Sequence, residues 1–220
     1  GKQADSSNTT HFGKVAKIAF DLKAQEAFIA DGYGNRRVAV LDMKSGQVKR
    51  FWGAYGKAPS DAPLPPYDPA KGGDVSFRGS VHCAEVSKDG LVYVCDRQND
   101  RIQVFKTDGT FVKEARISPG TLGAGSVWDM AISPDQKWLY VADGANARVY
   151  IVDRASLQVV SQFGGGGRQP GQFFGVHSIA TDSKGNIYTT ETFEGKRVQK
   201  FTFKGVTSVP RDQGVVWPKP

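Results

Sequence analysis

Cysteine, histidine and methionine are scarce in this chain: two, three and two residues among 220. Two thiols, Cys83 and Cys95, are too few for a four-cysteine zinc cluster or a multi-bridge disulfide framework. No apolar run approaches the roughly 20 residues that a membrane-spanning helix needs, so no such span is expected. Gly1 to Thr10 is polar and lacks the apolar core of a signal peptide. Clustered charge is missing too. The net charge is +7, from 29 basic and 22 acidic residues. The basic residues nevertheless stand singly, apart from the doublets Arg36-Arg37, Lys49-Arg50 and Lys196-Arg197. Phosphate neutralisation needs cations gathered on one face or tract, so no nucleic-acid partner is expected. Helical periodicity is also absent, since no stretch keeps an apolar repeat of 3.6 over three turns. The 26 glycines and 11 prolines show no three-residue period, which excludes collagen.

What the chain does have is internal repetition. Four segments read alike: AFIADGYGNRRVAVLD (27–42), VYVCDRQNDRIQVFK (92–106), LYVADGANARVYIVD (139–153) and IYTTETFEGKRVQKF (187–201). Each is a β-branched or aromatic run ending in an acid, then a short polar loop, an Arg and a second run. The acids are Asp31, Asp96, Asp143 and Glu191, and the arginines are Arg37, Arg101, Arg148 and Arg197. A further strand precedes each segment, starting at Val15, Val81, Val127 and Val176. Turn chemistry separates the runs, as in Ser87-Lys88-Asp89-Gly90 and Ser133-Pro134-Asp135. A four-strand unit repeated at ~40–50 residues is a propeller blade. The fold class expected is all-β, a single β-propeller domain over 1–220, with blades at about 15–53, 80–118, 126–164 and 175–210. The wider first spacing leaves an insertion at 54–79, rich in proline and so a loop. It reads as a functional lid or a tolerated surface loop.

Because the acid and the Arg recur in every unit, their expected task is to tie down the loop between strands two and three of each blade. Gly164 to Gly167, followed by Arg168, lacks the strand–loop–helix setting of a phosphate loop and reads as a flexible inter-blade link. Cys83 and Cys95 fall on adjacent strands of one hairpin, either as a cross-strand pair or as two buried free thiols.

Strand direction locates the chemistry. First strands line the central channel, and the second residue of each is Ala16, His82, Trp128 or His177. All four should point at or near the axis. Imidazole nitrogen is a common zinc ligand, and two His in equivalent slots of different blades can converge although far apart in sequence. The bland alternative is that each His bonds a carbonyl or channel water. Tyr33 and Arg97 occupy strand two–three loops on the same face. An Arg fork suits a carboxylate, to which it donates two parallel hydrogen bonds; for both residues a solvated loop is the bland alternative.

The D-x-x-N-x-R-[VI] signature resembles the NHL repeat, a family of β-propellers usually closed by six blades. The resemblance covers residues 11–205. Within that group the chain looks most similar to the peptidyl-α-hydroxyglycine α-amidating lyases and their bacterial relatives. The segments HFGKVAKIAFDLKAQEAFIADGYGNRR, VHCAEVSKDGLVYVCDRQNDRIQVFK and QFFGVHSIATDSKGNIY carry it. The resemblance implies that four of six blades are present. It also implies zinc held by three histidines, of which His82 and His177 match two, the third belonging to a blade before Val15. His11 matches a His-Phe stretch that is not a ligand. Tyr33 matches a base near the metal and Arg97 the anchor of the substrate carboxylate. The implied reaction cleaves a peptide-like carbinolamide into an amide and glyoxylate. The chain departs from the pattern at Gly34, where the lyases have a cysteine, and at Ser178, which replaces an acid beside their metal.

An open arc of blades leaves unpaired sheet edges, so self-association or docking with missing N-terminal blades is expected. The competing function is a non-catalytic propeller that binds a protein, glycan or small ligand on one face. Under that reading the indole of Trp128 narrows the channel and stacks on the ligand.

Overall fold

Strong β-formers separated by Gly, Asp and Ser turns give antiparallel meanders, and the chain forms four of them in the computed structural model, which describes residues 5–206. The first blade runs β1 (Lys17–Asp21), β2 (Glu26–Asp31), β3 (Arg37–Asp42) and β4 (Val48–Trp52). The second is β5 (Val81–Val86), β6 (Leu91–Asp96), β7 (Arg101–Lys106) and β8 (Phe111–Arg116). The third is β9 (Asp129–Ile132), β10 (Trp138–Asp143), β11 (Arg148–Asp153) and β12 (Val159–Gly164). The fourth has three strands among the described residues, β13 (Val176–Thr181), β14 (Ile187–Glu191) and β15 (Val198–Phe201). The end of the expected fourth blade, 207–210, lies outside them. The fold is an all-β, four-blade β-propeller.

Middle strands read as continuous apolar runs because both their faces are covered. β2 is buried at every residue, whereas β8 alternates between half-buried and exposed. Three apolar cores lie between successive blades. Phe28, Val40 and Trp52 meet Val81, Val94 and Phe105 between the first and second. Cys83, Ile102 and Val104 meet Met130, Val141 and Val152 between the second and third. Tyr140 and Val149 meet Phe173, Ile179 and Ile187 between the third and fourth. A fully buried Phe or Val contributes roughly 1.5–3 kcal/mol. Among the described residues no fourth core joins the last blade to the first, and Ile18 and Phe20 on β1 remain exposed.

The repeated acid and Arg pair in three blades. Arg37 Nε donates to Asp31 at 3.0 Å, Arg101 Nε to Asp96 at 2.8 Å and Arg197 Nε to Glu191 at 2.7 Å. Each acid also accepts from a backbone N–H just ahead of its blade's first strand: Gly13 at 2.8 Å, Arg78 at 3.1 Å and Phe174 at 2.9 Å. The pair therefore staples the blade's entrance to its own two–three loop. The third blade departs from this. Arg148 is exposed, and of the two side-chain bonds Asp143 keeps only that from Asn146 Nδ2, at 2.7 Å, whose counterparts from Asn35 and Asn99 accompany the Arg pair in the first two blades.

One expectation is revised and one open choice is decided. The glycine run is not a free link: Gly164 ends β12, and Gly165 and Gly167 exchange backbone hydrogen bonds with Phe173 at 2.8 and 3.0 Å. The alternatives for the thiols resolve to a disulfide between Cys83 and Cys95, which stand directly opposite on β5 and β6 with Cα atoms 4.9 Å apart. The insertion contains no strand; Phe77 anchors it in the first core, and its tyrosines bind the second blade, Tyr55 accepting from Arg101 at 2.7 Å and Tyr67 donating to the Pro119 carbonyl at 2.9 Å.

At the hub one cation spans the blades. Lys17 Nζ on β1 lies 2.6 Å from Glu85 on β5 and 2.7 Å from Asp129 on β9, and donates to the Met130 carbonyl at 3.0 Å. Asp129 in turn accepts from the Ile179 N–H of β13 at 3.0 Å. Four inner strands are thus joined through one ammonium and one carboxylate. Burial pulls the Lys17 pKa down, but the two carboxylates outweigh it and hold it above its ordinary value. Burial lifts Asp129 to about 6 against the pull of Lys17.

Candidate functional site

The two histidines sit at equivalent irregularities in the fold. In β5 the ladder pairs Val81 with Asp96 and Cys83 with Cys95, so His82 is the extra residue. In β13 it pairs Val176 with Glu191 and Ser178 with Thr190, leaving His177 as the extra residue. A bulge of this kind re-aims one side chain out of the pleat. Here it turns both rings toward each other, with centroids 4.7 Å apart.

Tyr33 completes the cluster from the first blade. Its loop runs so close to the start of β5 that a Cβ on Gly32 would lie 2.1 Å from Val81 backbone atoms. Only glycine fits there, and the close approach delivers the next residue to the hub. Tyr33 Oη is 2.6 Å from His82 Nε2 and 3.3 Å from His177 Nε2. The hydroxyl has one proton, so one consistent assignment has His177 Nε2–H donating to Tyr33 and Tyr33 donating to His82 Nε2.

Arg97 stands beside the trio. Its guanidinium carbon is 3.7 Å from the ring centroid of Trp128, and its Nε donates to the Ala124 carbonyl at 2.8 Å. The Tyr33 hydroxyl faces its charged end. Trp128 is only 3% exposed, and its Nε1 donates to the Gly125 carbonyl at 2.6 Å. The indole therefore supports Arg97 and, at 5.6 Å between centroids, His177. It is packed rather than open to the channel, which removes the expected stacking surface. Ala16 lines a hub cavity of about 610 Å³ together with Lys17, His82, Glu85, Asp129 and Ser178. Sequence reasoning missed Lys17 and Asp129. The one signal for them was their position, since both occupy the third residue of a first strand with opposite charge.

Electrostatics keeps the imidazoles neutral. Burial, then the positive charge of Arg97, lowers the His82 pKa to about 3. The same two causes lower that of His177. His82 Nδ1 is buried without a well-formed hydrogen bond, although the Trp128 backbone lies near enough to favour its charged form slightly. Near neutral pH His82 Nε2 therefore presents its lone pair to the Tyr33 hydroxyl, and His177 can present one at Nε2 by taking the tautomer protonated at Nδ1; a cation at the pair would displace these hydrogen bonds. His82 binds its proton less readily folded than unfolded, so its contribution favours the native state above pH 6.5. That contribution falls away on acidification, by about 1.4 kcal/mol per pH unit between about 6.5 and 3. Asp129, with its raised pKa, has the opposite slope between about 4 and 6. In chelator-treated protein, His82→Gln should flatten the acid limb of stability against pH relative to wild type; equal slopes for the two proteins would show that His82 is not held neutral.

The donors that could hold a cation are two imidazole nitrogens and one phenol oxygen. Among the described residues no cluster of three or more His, Cys, Asp or Glu side chains comes together. The pair fits part of a zinc site, and a further donor is required to complete it.

No protein-family model matches the chain. Over 97% of its length it is 25% identical to peptidylglycine alpha-amidating monooxygenase of Rattus norvegicus, of which it covers 22%. Over 50% of its length it is 32% identical to the Mus musculus peptidyl-glycine alpha-amidating monooxygenase, of which that match covers 10%. Among solved structures, hydrazine synthase of Kuenenia stuttgartiensis superposes with a TM-score of 0.59 over 89% of this chain and 48% of that one. At 16% identity this is a likeness of fold alone. The chain is weakly homologous to the amidating monooxygenases, in keeping with its NHL-type resemblance, and spans less than a quarter of their length.

Proposed function

We propose that this propeller carries the core of a lyase site acting on peptide-like carbinolamides. One observation carries the reading: two imidazole Nε2 atoms from separate blades converge on the Tyr33 hydroxyl, with the Arg97 guanidinium alongside. In this reading Arg97 binds the ligand's carboxylate and fixes its orientation. Tyr33 Oη relays a proton, giving its own to the amide nitrogen as it takes the proton of the carbinol oxygen, so that it ends as the neutral phenol it began as. The C–N bond breaks with its electrons leaving on nitrogen, and the C–O bond becomes the carbonyl of glyoxylate. Protons and electrons balance without a co-reactant. His82 and His177 would hold zinc through Nε2, and the metal would supply polarisation of the carbinol oxygen.

The missing donor belongs, in this reading, to further blades of a six-blade, NHL-type propeller. The three cores among four blades and the exposed Ile18 and Phe20 support an unfilled ring. The competing face-binding reading loses its main support with the burial of Trp128.

The test is glyoxylate release from an α-hydroxyglycine-extended peptide by the full-length protein, with bound metal measured in parallel. Wild type should turn over and His82→Ala should not. Less than about a tenth of an equivalent of bound transition metal in active protein would remove zinc from the mechanism. Equal rates for the two proteins would remove the site.

A further inference from the structure

One aromatic residue at the rim of this site is held in a conformation that its own burial does not explain. Phe193 lies in the two–three loop of the fourth blade, in the turn where Gly195 N–H donates to the Thr192 carbonyl at 3.1 Å. Its φ is +52°, and it is the second residue of that turn. Positive φ there is the province of Gly and Asn, because a Cβ crowds the neighbouring carbonyl. Such strain persists where something else requires the residue. Left-handed residues also precede the repeated Arg in three blades, at Asp100, Ala147 and Lys196, so those belong to the blade pattern. Phe193 has no such counterpart. Nor is its ring buried to compensate, for it is 66% exposed.

Its surroundings give the reason. The ring packs against Gly175, two residues before His177, and meets the edge of Trp128 at 6.4 Å between centroids. The same indole carries Arg97 on its face and touches His177. Phe193 is therefore one ring away from a guanidinium and one ring away from an imidazole, with its outer surface facing solvent. An exposed aromatic one ring away from an Arg fits a ligand that is anionic at one end and apolar next to it.

We propose that Phe193 is a specificity-determining residue of this site, an apolar wall for the side chain that precedes the carboxylate-bearing end of a peptide-like ligand. The proposal rests on the lyase reading for the role of Arg97, and it narrows the substrate class to peptides with an apolar or aromatic residue next to the terminal glycine unit. An aromatic contact of this kind is worth roughly tenfold in preference.

The experiment measures binding of N-acetyl-Phe-Gly and N-acetyl-Ser-Gly by calorimetry, with turnover of the corresponding α-hydroxyglycine compounds recorded separately. Wild type should bind the Phe ligand about tenfold more tightly. Phe193→Ala should reduce that ratio to about twofold by weakening the Phe ligand alone, and Phe193→Leu should keep most of it. Phe193→Gly should lose the preference while melting about 2–4 °C higher, as strain is relieved. Selective binding without turnover would overturn the lyase reading and leave the Phe193 assignment standing. An unchanged ratio in Phe193→Ala, equal affinities in wild type, or no binding of either ligand would overturn the assignment, as would a Phe193→Gly protein that melts lower and keeps its preference.

Discussion

Tyr33→Phe should lower carbinolamide turnover by about 10²–10³-fold while lowering the melting temperature by only about 2–4 °C. The first half follows from what a positioned proton-transfer group supplies, roughly 10²–10⁴-fold. The hydroxyl is the single atom shared by the two imidazoles, at 2.6 and 3.3 Å. The second half follows from exposure: Tyr33 is nearly half exposed and its ring stays in place as Phe. Its loss leaves the buried His82 Nε2 without its hydrogen bond, but the hydroxyl's site is open to water, so the cost stays near the lower end of the ~1–3 kcal/mol for an unsatisfied group. Separating KM from kcat sharpens the result. Loss confined to kcat places the hydroxyl in the chemical step, whereas a raised KM with kcat intact makes it a binding contact. A full-rate Tyr33→Phe protein would exclude the phenol from catalysis.

Lys17→Met should be the most destabilising single change in the hub. The substitution keeps the apolar stem and removes the ammonium, leaving Asp129, 2% exposed, and Glu85 without their cation. Removing one partner of a buried ion pair costs about 3–5 kcal/mol, because the remaining charge has no solvent to retreat to. Lys17 keeps some contact with water, which places the loss toward the lower end. Denaturant unfolding at pH 7 measures it. A second substitution, Asp129→Asn, should restore part of the loss in the Lys17→Met background, since Asn retains an acceptor for the Ile179 N–H. A single-variant loss under about 1 kcal/mol, within the range of a surface pair, would show that the clamp is not buried in effect.

The blades were legible because a blade is a local object. Its strands, turns and acid–Arg staple lie within some 40–50 residues, and each repeat confirms the others. His82 and His177 were legible for the same reason, as matching letters in matching slots. What joins the blades was not. Lys17 and Asp129 are 112 residues apart, and no local period connects them. The β-bulges that aim the histidines leave no trace in alternation, because V-H-C and V-H-S read as ordinary strand starts. Trp128 does stand beside His177 as its slot suggests, but its burial was not legible, because the loop at Ala124 and Gly125 and the guanidinium of Arg97 from the neighbouring blade cover it. Arg148 shows the converse failure. The letter repeats, but its side chain is exposed, and of the two side-chain bonds to the acid only that from Asn, shared with the first two blades, remains.

The bond between Cys83 and Cys95 has a consequence for how this protein must be prepared. Cys83 adjoins His82, so the rung that bulges toward the hub is locked to its neighbour by a covalent link rather than by packing alone. The oxidation state of the sample therefore bears on how firmly the imidazole is aimed. Material folded in a reducing cytosol and material matured in an oxidising compartment are, for this purpose, two different molecules with one sequence.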